Sequence, residues 1–232
     1  MTLILGAMDG EVATILSLMD LDAREEWRGF PIAHGSIAGA QVVVSRTGVG
    51  KTLSAMISQY LIDRFSPERI IFTGVAGALR DRLEIGDTLV ARDSMQHDMD
   101  VTALGFEIGR IPYSAHRIYP CDERLVEIAS RIDPPHGTRH VGRVLTGDQF
   151  VANAGHRERL AAELDGDAVE MEGASVGLVA AVNGVPYLLI RTISDQSDGS
   201  AIEFDRIVGF AADNSWHYLQ GILGELVDGG DD

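Results

Sequence analysis

Short apolar runs typical of buried strands alternate along this sequence with segments whose apolar residues recur every three or four positions. The run at residues 2–7 is followed by a helical pattern from Asp9, and the run at 69–73 is one of several later strands. Such alternation is typical of helices packed on both faces of a mostly parallel sheet. No Pro/Ser-rich or single-charge stretch interrupts it. We therefore predict a single α/β domain over residues 1–232, a three-layer α/β/α sandwich with a mixed, mostly parallel central sheet.

The remaining elements follow from the same two periodicities. The predicted strands after the first lie at residues 31–38, 41–47, 69–73, 86–93, 139–145, 167–171 and 186–193. The predicted helices after the first lie at residues 51–65, 122–132, 156–164, 173–182 and 204–226. In the helix over 51–65, the residues expected to face inward are Leu53, Met56, Ile57, Tyr60 and Leu61. The stretch between Asp93 and Pro120 has neither pattern and is long for an idle loop.

Charge and cysteine content limit the classes of partner. Nineteen basic against thirty-five acidic side chains leave a net charge of −16, which repels nucleic acid and anionic membrane surfaces. Cys121 is the only cysteine, so no internal disulfide can form and a reducing compartment is favoured. The first eight residues carry no basic charge, unlike a secretory signal, and no stretch approaches eighteen apolar residues. We expect a cytoplasmic protein.

Charged residues follow several of the predicted strands. Ligands in open α/β sheets bind beyond the carboxyl ends of strands, where this chain places Glu11, the pair Glu170 and Glu172, and Asp195. Arg191 lies within an otherwise apolar run, and a buried guanidinium is costly unless a carboxylate compensates it. A polar site at the edge of the sheet would explain both features.

Separated carboxylates without a metal-binding cluster suit displacement at an acetal-type carbon, in which one acid assists the leaving group while another group activates water. We predict no metal and no cofactor. His136 and His140 lie four apart, but Pro134 and Pro135 argue against a helix there. The sequence TGVGKT at 47–52 suggests a phosphate-binding loop, but position 45 is serine where the full motif needs glycine. We interpret it as a glycine turn between a strand and a helix.

Seven segments in consistent order resemble the methylthioadenosine/S-adenosylhomocysteine nucleosidases of bacteria, within the purine nucleoside phosphorylase type I superfamily. The segments are GAMDGEV (6–12), TGVGK (47–51), TGVAGAL (73–79), QHDMDVTALGFEIGRIP (96–112), TGDQFV (146–151), VEMEGASV (169–176) and RTISDQSD (191–198). The resemblance covers nearly the whole chain. It implies a nucleoside phosphorylase-like fold and cleavage of the N-glycosidic bond of 5′-thio-substituted adenosines, with a place in methionine salvage.

The resemblance also implies catalytic roles for four residues. Glu11 would position and activate the attacking water, and Asp195 would donate a proton to N7 of the departing adenine. Ser194 would help to hold Asp195, and Arg191 would lie near the water site.

The substrate-binding residues are implied in the same way. Glu172 would bind the ribose hydroxyls, Met171 would pack on the sugar, Phe150 would stack on the purine and the backbone of Val151 would read its edge. The full implied set is Met8, Val49, Val75, Ala76, Gly77, Phe150, Val151, Glu170, Met171 and Glu172. Many relatives have a serine at position 75, so with Val75 the water must rely on other groups.

A homodimer is implied because Leu104 and Pro112 correspond to positions that reach into the neighbouring subunit's thioalkyl pocket. Apolar Leu104 and Ile108 favour a thioalkyl tail, but methylthioadenosine, S-adenosylhomocysteine, 5′-deoxyadenosine and aminodeoxyfutalosine all remain open.

Two other functions remain as alternatives. A phosphate-dependent purine nucleoside phosphorylase would share the fold, but it would need cations converging below the ribose, and the first strand end offers Asp9 and Glu11 instead. A unit charge 4 Å from another is worth about 4 kcal/mol at an effective dielectric of 20, which disfavours phosphate beside an ionised Glu11. A non-catalytic nucleoside-binding protein would use Phe150 and Glu172 but would need neither Glu11 nor Asp195.

Overall fold

The computed structural model describes residues 1–197 and 204–229, which form one mixed sheet and helices on its faces. The strands are β1 Thr2–Gly6, β2 Asp20–Trp27, β3 Phe30–Ile37, β4 Ala40–Arg46, β5 Arg69–Ala78, β6 Thr88–Gln96, β7 Ile118–Pro120, β8 Arg139–Thr146, β9 Ala168–Glu170 and β10 Tyr187–Asp195. The helices are α1 Asp9–Leu18, α2 Lys51–Phe65, α3 Glu123–Ala129, α4 Ala154–Leu164, α5 Gly173–Asn183 and α6 Phe204–Asp228, with a short 3₁₀ turn at Thr102–Leu104. The predicted mixed α/β fold is confirmed.

The order of strands is β10-β6-β8-β9-β5-β1-β4-β3-β2, and β10 also pairs with β5. Five strands, β5, β9, β8, β6 and β10, therefore close into a ring, while β1 to β4 extend it as an open sheet. Both neighbours of β1 are parallel to it, and β10 runs parallel to β5. The carboxyl ends of β1, β5 and β10 consequently meet at one edge.

The central strands are buried along almost their whole length because helices cover both faces. All five residues of β1 are buried, as are all but the last residue of β10. Helix α6 packs on α1 and on β10, whereas α5 packs on α2 and on β6 to β8. None of the helices in the described ranges is long and apolar enough to cross a membrane.

Strand β2 was not predicted because most of its side chains are exposed. Its sequence DLDAREEW carries five charges, and it lies at the end of the strand order, paired only with β3 in the described sheet. Charged side chains are common on such edge strands, where they discourage pairing with another chain. Strand β7 was not predicted either, because it has only three residues, at the end of the stretch between Asp93 and Pro120, which is too short to show a strand pattern.

Two other expectations were wrong. In α2, Ile57 and Leu61 are buried as predicted, but Leu53 and Met56 are about 40% exposed. The buried face carries small serines instead, Ser54 and Ser58, which let α2 approach α5 closely. Strand β5 continues to Ala78, beyond the end of the strand predicted over residues 69–73, so the segment 74–77 is also strand.

Candidate active site

A cavity of about 400 Å³ opens where β1, β5, β9 and β10 end, beside the loop that follows β8. Its wall contains four acidic side chains and no basic one among the residues described. The lining residues are Ala7, Met8, Glu11, Val49, Val75, Ala76, Gly77, Gln149, Phe150, Val151, Ala152, Val169, Glu170, Met171, Glu172, Ser194, Asp195 and Ser197.

Glu11 lies in the first turn of α1 and is held entirely by backbone N–H groups. Its Oε2 accepts from Ala7 (2.7 Å) and Met8 (2.9 Å), and its Oε1 accepts from Val75 (3.0 Å). Burial raises the pKa of Glu11, although the charge of Arg191 and the backbone donors oppose that rise. Position 74 must be glycine, because a Cβ there would collide with Glu11 Oε1. The carboxylate is therefore fixed in one orientation at the cavity wall.

Glu170 lines the cavity and forms a buried ion pair with Arg191, which lies behind the wall. Arg191 is 1% exposed, and its Nη2 donates to Glu170 Oε2 at 2.8 Å, while its guanidinium lies 4.3 Å from the centre of the Phe72 ring. Glu170 also accepts from Thr146 Oγ1 and from the backbone N–H of Gly173 at 2.7 and 2.9 Å. Each partner supplies the opposite charge that offsets the desolvation cost of burying the other.

Glu172 stands two residues after Glu170, at the N-terminus of α5, and is far less completely bonded. Its Oε1 accepts from the backbone N–H of Gly50 at 2.7 Å. Among the described residues no donor occupies its Oε2, so that oxygen can accept from a ligand. Burial, followed by repulsion from Glu170, raises the pKa of Glu172 to about 8.

Asp195 ends β10 just after a register shift between Ile193 and Asp195, and its side chain lines the cavity. Its Oδ2 accepts from Ser194 Oγ at 2.7 Å and its Oδ1 from the Ser197 N–H at 2.8 Å. Ser194 Oγ also lies 3.2 Å from the Ala76 carbonyl oxygen. The hydroxyl can therefore donate to Ala76 when Asp195 carries a proton, and to Asp195 when it does not.

The apolar part of the wall comes from three separate loops. Met8 follows β1, Met171 follows β9, and Phe150 with Val151 belongs to the loop after β8. Phe150 is 74% exposed, which leaves one face of its ring open to a flat ligand. Val49 faces the cavity from the turn before α2 and is half exposed.

Thirteen of the sequence-predicted residues line this one cavity, although they come from both halves of the chain. Arg191 does not line the cavity: it lies behind the wall, where it pairs with Glu170 and its charge acts on Glu11. Leu104 and Pro112 do not line the cavity either. Leu104 is 69% exposed, and Ile108 packs against a small core cluster around Met95.

Sequence reasoning missed five lining residues: Ala7, Gln149, Ala152, Val169 and Ser197. Four of them neighbour predicted residues and carry no chemical signal of their own. Ser197 differs, because its buried hydroxyl has no hydrogen-bond partner among the described residues and its φ is +53°. The last residue of the motif at 191–198, Asp198, lies outside the described residues.

The glycine turn at 47–51 is not a phosphate-binding loop. The backbone N–H groups of Gly50 and Lys51 donate to the chain's own carboxylates, Glu172 and Asp148. The ammonium group of Lys51 is paired with Asp98 at 2.6 Å. The donors that would hold phosphate are thus already used. Within the described ranges, no group of three or more His, Cys, Asp and Glu side chains is arranged to hold a metal ion.

Comparison with known proteins agrees with this geometry. A family model described as the phosphorylase superfamily matches residues 2–222. The chain is 34% identical over 227 residues to a 5′-methylthioadenosine/S-adenosylhomocysteine nucleosidase of Aeromonas salmonicida, covering 96% of this chain and 98% of that protein. It is also 36% identical over 226 residues to an aminodeoxyfutalosine nucleosidase of Helicobacter pylori, covering 96% and 97%.

Solved structures give the same result. The fold is similar to that of the 5′-methylthioadenosine/S-adenosylhomocysteine nucleosidase from Neisseria meningitidis in complex with methylthio-immucillin-A, with a TM-score of 0.89, 28% identity and coverage of 97% of this chain and 98% of that one. The corresponding enzyme of S. pneumoniae with a transition-state inhibitor gives a TM-score of 0.90 at 32% identity, covering 97% and 100%. The chain therefore belongs to the phosphorylase superfamily, and within it to the family of 5′-methylthioadenosine/S-adenosylhomocysteine nucleosidases.

Proposed function

We propose that this chain hydrolyses the N-glycosidic bond of 5′-thio-substituted adenosines, releasing adenine and the free pentose through an oxocarbenium-like transition state. The observation that carries the proposal is that Glu11, Glu172 and Asp195, distant in sequence, meet around one cavity, which has no basic residue among its described lining. Breaking the bond leaves a positive ribosyl group, which nearby carboxylates stabilise more than they stabilise the neutral substrate.

On the sugar side, Glu11 acts on the attacking water. Its Oε1 has one backbone donor, from Val75, and so keeps a lone pair for a proton of that water. A buried carboxylate with a raised pKa is a better base near neutral pH than an exposed one. Val75 takes part through its N–H group, which orients Glu11, so no side-chain hydroxyl is needed at this position.

On the base side, Asp195 acts as the general acid. As water adds to C1′, the C1′–N9 bond breaks, its electron pair moves to the adenine, and Asp195 gives a proton to N7. Ser194 turns its hydroxyl from Ala76 to the carboxylate that forms, which stabilises the ionised state. The proton that Glu11 takes from water balances the one that Asp195 loses.

The remaining lining residues hold the substrate. Glu172 accepts from the ribose hydroxyls through its open Oε2 while Gly50 fixes Oε1. Phe150 stacks on the purine, whose edge is read by the backbone of Val151, and Met8 and Met171 pack on the sugar. Glu170 and Arg191 act indirectly, by holding the start of α5 and by placing a positive charge behind Glu11.

The nature of the cavity favours water over phosphate as the nucleophile. Phosphate would stand beside Glu11, and the ammonium group of Lys51 is paired with Asp98. At an effective dielectric of 20, repulsion between unit charges 4 Å apart is about 4 kcal/mol, roughly a thousandfold in affinity.

The preferred 5′ substituent and the assembly form part of the proposal. Methylthioadenosine, S-adenosylhomocysteine, 5′-deoxyadenosine and aminodeoxyfutalosine are all candidates. A homodimer in which Leu104 and Pro112 of one subunit cover the 5′ pocket of the other is supported by the exposure of Leu104. We also propose one nucleosidase domain over residues 1–232, located in the cytoplasm, with a role in methionine salvage if methylthioadenosine is the substrate. The buried, single Cys121 supports a reducing compartment.

The test is release of adenine in phosphate-free buffer, with kcat/KM compared across the four candidates and adenosine. We expect turnover of the 5′-thio nucleosides and poor turnover of adenosine. A preference for adenosine would contradict an apolar 5′ pocket. Binding of methylthioadenosine without any release of adenine would favour the non-catalytic alternative.

A further inference from the structure

Lys51 lies at a junction of three loops that follow β4, β6 and β8. Its Nζ donates to Asp98 Oδ1 at 2.6 Å and to Gln96 Oε1 at 3.3 Å. Asp98 Oδ2 accepts from the Asp148 N–H at 2.9 Å, and Asp148 Oδ1 accepts from the Lys51 N–H at 2.8 Å. These bonds form a closed ring through Lys51, Asp98 and Asp148, which we name the lysine clamp.

The lysine clamp is more than a surface ion pair. The side chains of Lys51 and Asp98 are 18% and 14% exposed. Burial would raise the pKa of Asp98, but the bonds from Lys51 and Asp148 outweigh it and the pKa is lowered. Lys51 is also the only lysine among nineteen basic residues. A compact ammonium group can donate in several directions to closely spaced oxygens, whereas a planar guanidinium presents a fixed fork.

The clamp joins two parts of the site. On one side it continues from Lys51 to Gly50, whose N–H orients Glu172. On the other side Asp148 directly precedes the loop that carries Phe150 into the cavity wall. Gly50 has a φ of +93°, and a Cβ there would lie 3.1 Å from Asp148 Oδ1, so the two loops are in close contact at this point.

We propose that the lysine clamp is a positioning device for catalysis, in which Lys51 and Asp98 set the purine-stacking loop in register with the carboxylate of Glu172. Lys51 does not line the cavity, so its effect passes through Asp98, Asp148 and Gly50. The inference rests on the proposed function, because it assigns the two coupled parts to the base and the sugar of one nucleoside.

The main test replaces Lys51 by methionine, which keeps the length of the side chain and removes its charge. Displacement of binding groups by about 1 Å costs up to about a hundredfold, so we expect kcat/KM to fall and the Kd of adenine to rise by about ten- to a hundredfold. The matched control is Arg64→Met on the same helix, whose guanidinium pairs with Glu25 at 2.6 Å away from the cavity. An exposed pair contributes little, so this control should keep kcat/KM within about twofold.

A double-variant cycle separates positioning from a general loss of stability. If the clamp works as one unit, Asp98→Asn should weaken adenine binding similarly, and Lys51→Met combined with Asp98→Asn should be no worse than the weaker-binding single variant. The melting temperature of each variant is measured as well, and we expect the variants to remain folded at the assay temperature, so that unfolding does not explain the weaker binding of adenine.

Two results would overturn the proposal that the lysine clamp positions the site. One is Lys51→Met with adenine affinity and kcat/KM within about twofold of wild type, as for a pair of little consequence. The other is additive losses in the double variant. Either result leaves the proposed function intact if the wild type releases adenine. A wild type that binds adenine but releases none from any nucleoside would refute the proposed function. The lysine clamp could then still be tested by the affinity of the variants for adenine.

Discussion

Two groups of charged side chains in this molecule differ in the balance of their charges. In the cavity and directly behind it, Glu11, Glu170 and Glu172 are buried with a single cation, Arg191. At a second place, which we name the arginine network, every carboxylate has at least one guanidinium partner. Its members are Arg80, Arg82, Arg92, Arg143, Asp93, Asp165 and Asp167. Charge is neutralised in the network but left in excess in the cavity.

The imbalance has a measurable consequence for protonation. Burial and the nearby Glu170 raise the pKa of Glu172 to about 8, and burial also raises the pKa of Glu11. In the arginine network, the hydrogen bonds that Arg143 donates to Asp93 are the largest of several contacts that raise the pKa of Arg143, so its charge is stabilised. We infer that the network contributes to folding, while the cavity carries carboxylates at a cost in stability that a cationic transition state relieves.

Removing the acid should have the largest effect. Asp195→Asn keeps the shape of the side chain but cannot give a proton to N7, so we expect kcat to fall by about 10²- to 10⁴-fold. Binding of a nucleoside analogue, measured by calorimetry, should remain close to that of wild type. Near-normal turnover would remove Asp195 from the role of general acid.

Glu11→Gln tests the carboxylate on the other side of the bond. We expect kcat to fall by about a hundredfold or more because the water loses its base. The amide also places an NH₂ group among three backbone donors, which should cost about 1–3 kcal/mol of stability. Steady-state kinetics and denaturant unfolding check the two effects. A variant that is destabilised but fully active would make Glu11 a structural residue.

Arg143→Met should behave in the opposite way. It breaks two bonds to Asp93, at 2.6 and 3.0 Å, and should cost about 1.5–3 kcal/mol with kcat/KM unchanged. In a chain of this size each kcal/mol lowers the melting temperature by about 2–4 °C. Arg92→Met, which removes a more exposed pair with Asp165, is the control and should cost less than about 1 kcal/mol. A loss of activity in Arg143→Met would contradict the inference that the arginine network contributes to folding and not to catalysis.

The last expected effect is on the pH dependence of stability. Because the folded-state pKa of Glu172 is raised from 4.5 to about 8, its contribution is fully present below about pH 4.5 and is lost as the pH rises through about 8. The wild type should therefore lose stability between about pH 5 and pH 8, and Glu172→Gln should lose less, which is checked by the melting temperature of each protein as a function of pH. Parallel curves for the two proteins would show that Glu172 ionises normally.

The sequence predicts the residues that line the cavity better than it predicts the contacts that hold those residues in place. Glu11 and Asp195 could be placed together because the carboxyl ends of parallel strands meet at one edge of a sheet. The bounds of α2 were also predictable, since the glycine turn before Lys51 marks its start. The need to compensate Arg191 was visible as well, as a charge in an apolar run.

What the sequence could not show depends on contacts between distant segments. Glu170 and Glu172 are both acids near the end of one strand, and only the positions of Arg191 and Thr146 reveal that the first is internally bonded and the second open. Lys51 and Asp98 are 47 residues apart. Ser197, whose hydroxyl has no partner among the residues described, has a positive φ that a serine in the sequence does not predict.

The most direct test of the central claim is the fate of the sugar when water and phosphate compete. Methylthioadenosine is incubated with the wild type with and without added phosphate, and the sugar products are separated and weighed by mass spectrometry. A cavity walled by carboxylates predicts free methylthioribose as the sole sugar, formed at a rate independent of phosphate. Formation of methylthioribose 1-phosphate, with turnover that requires phosphate, would contradict it.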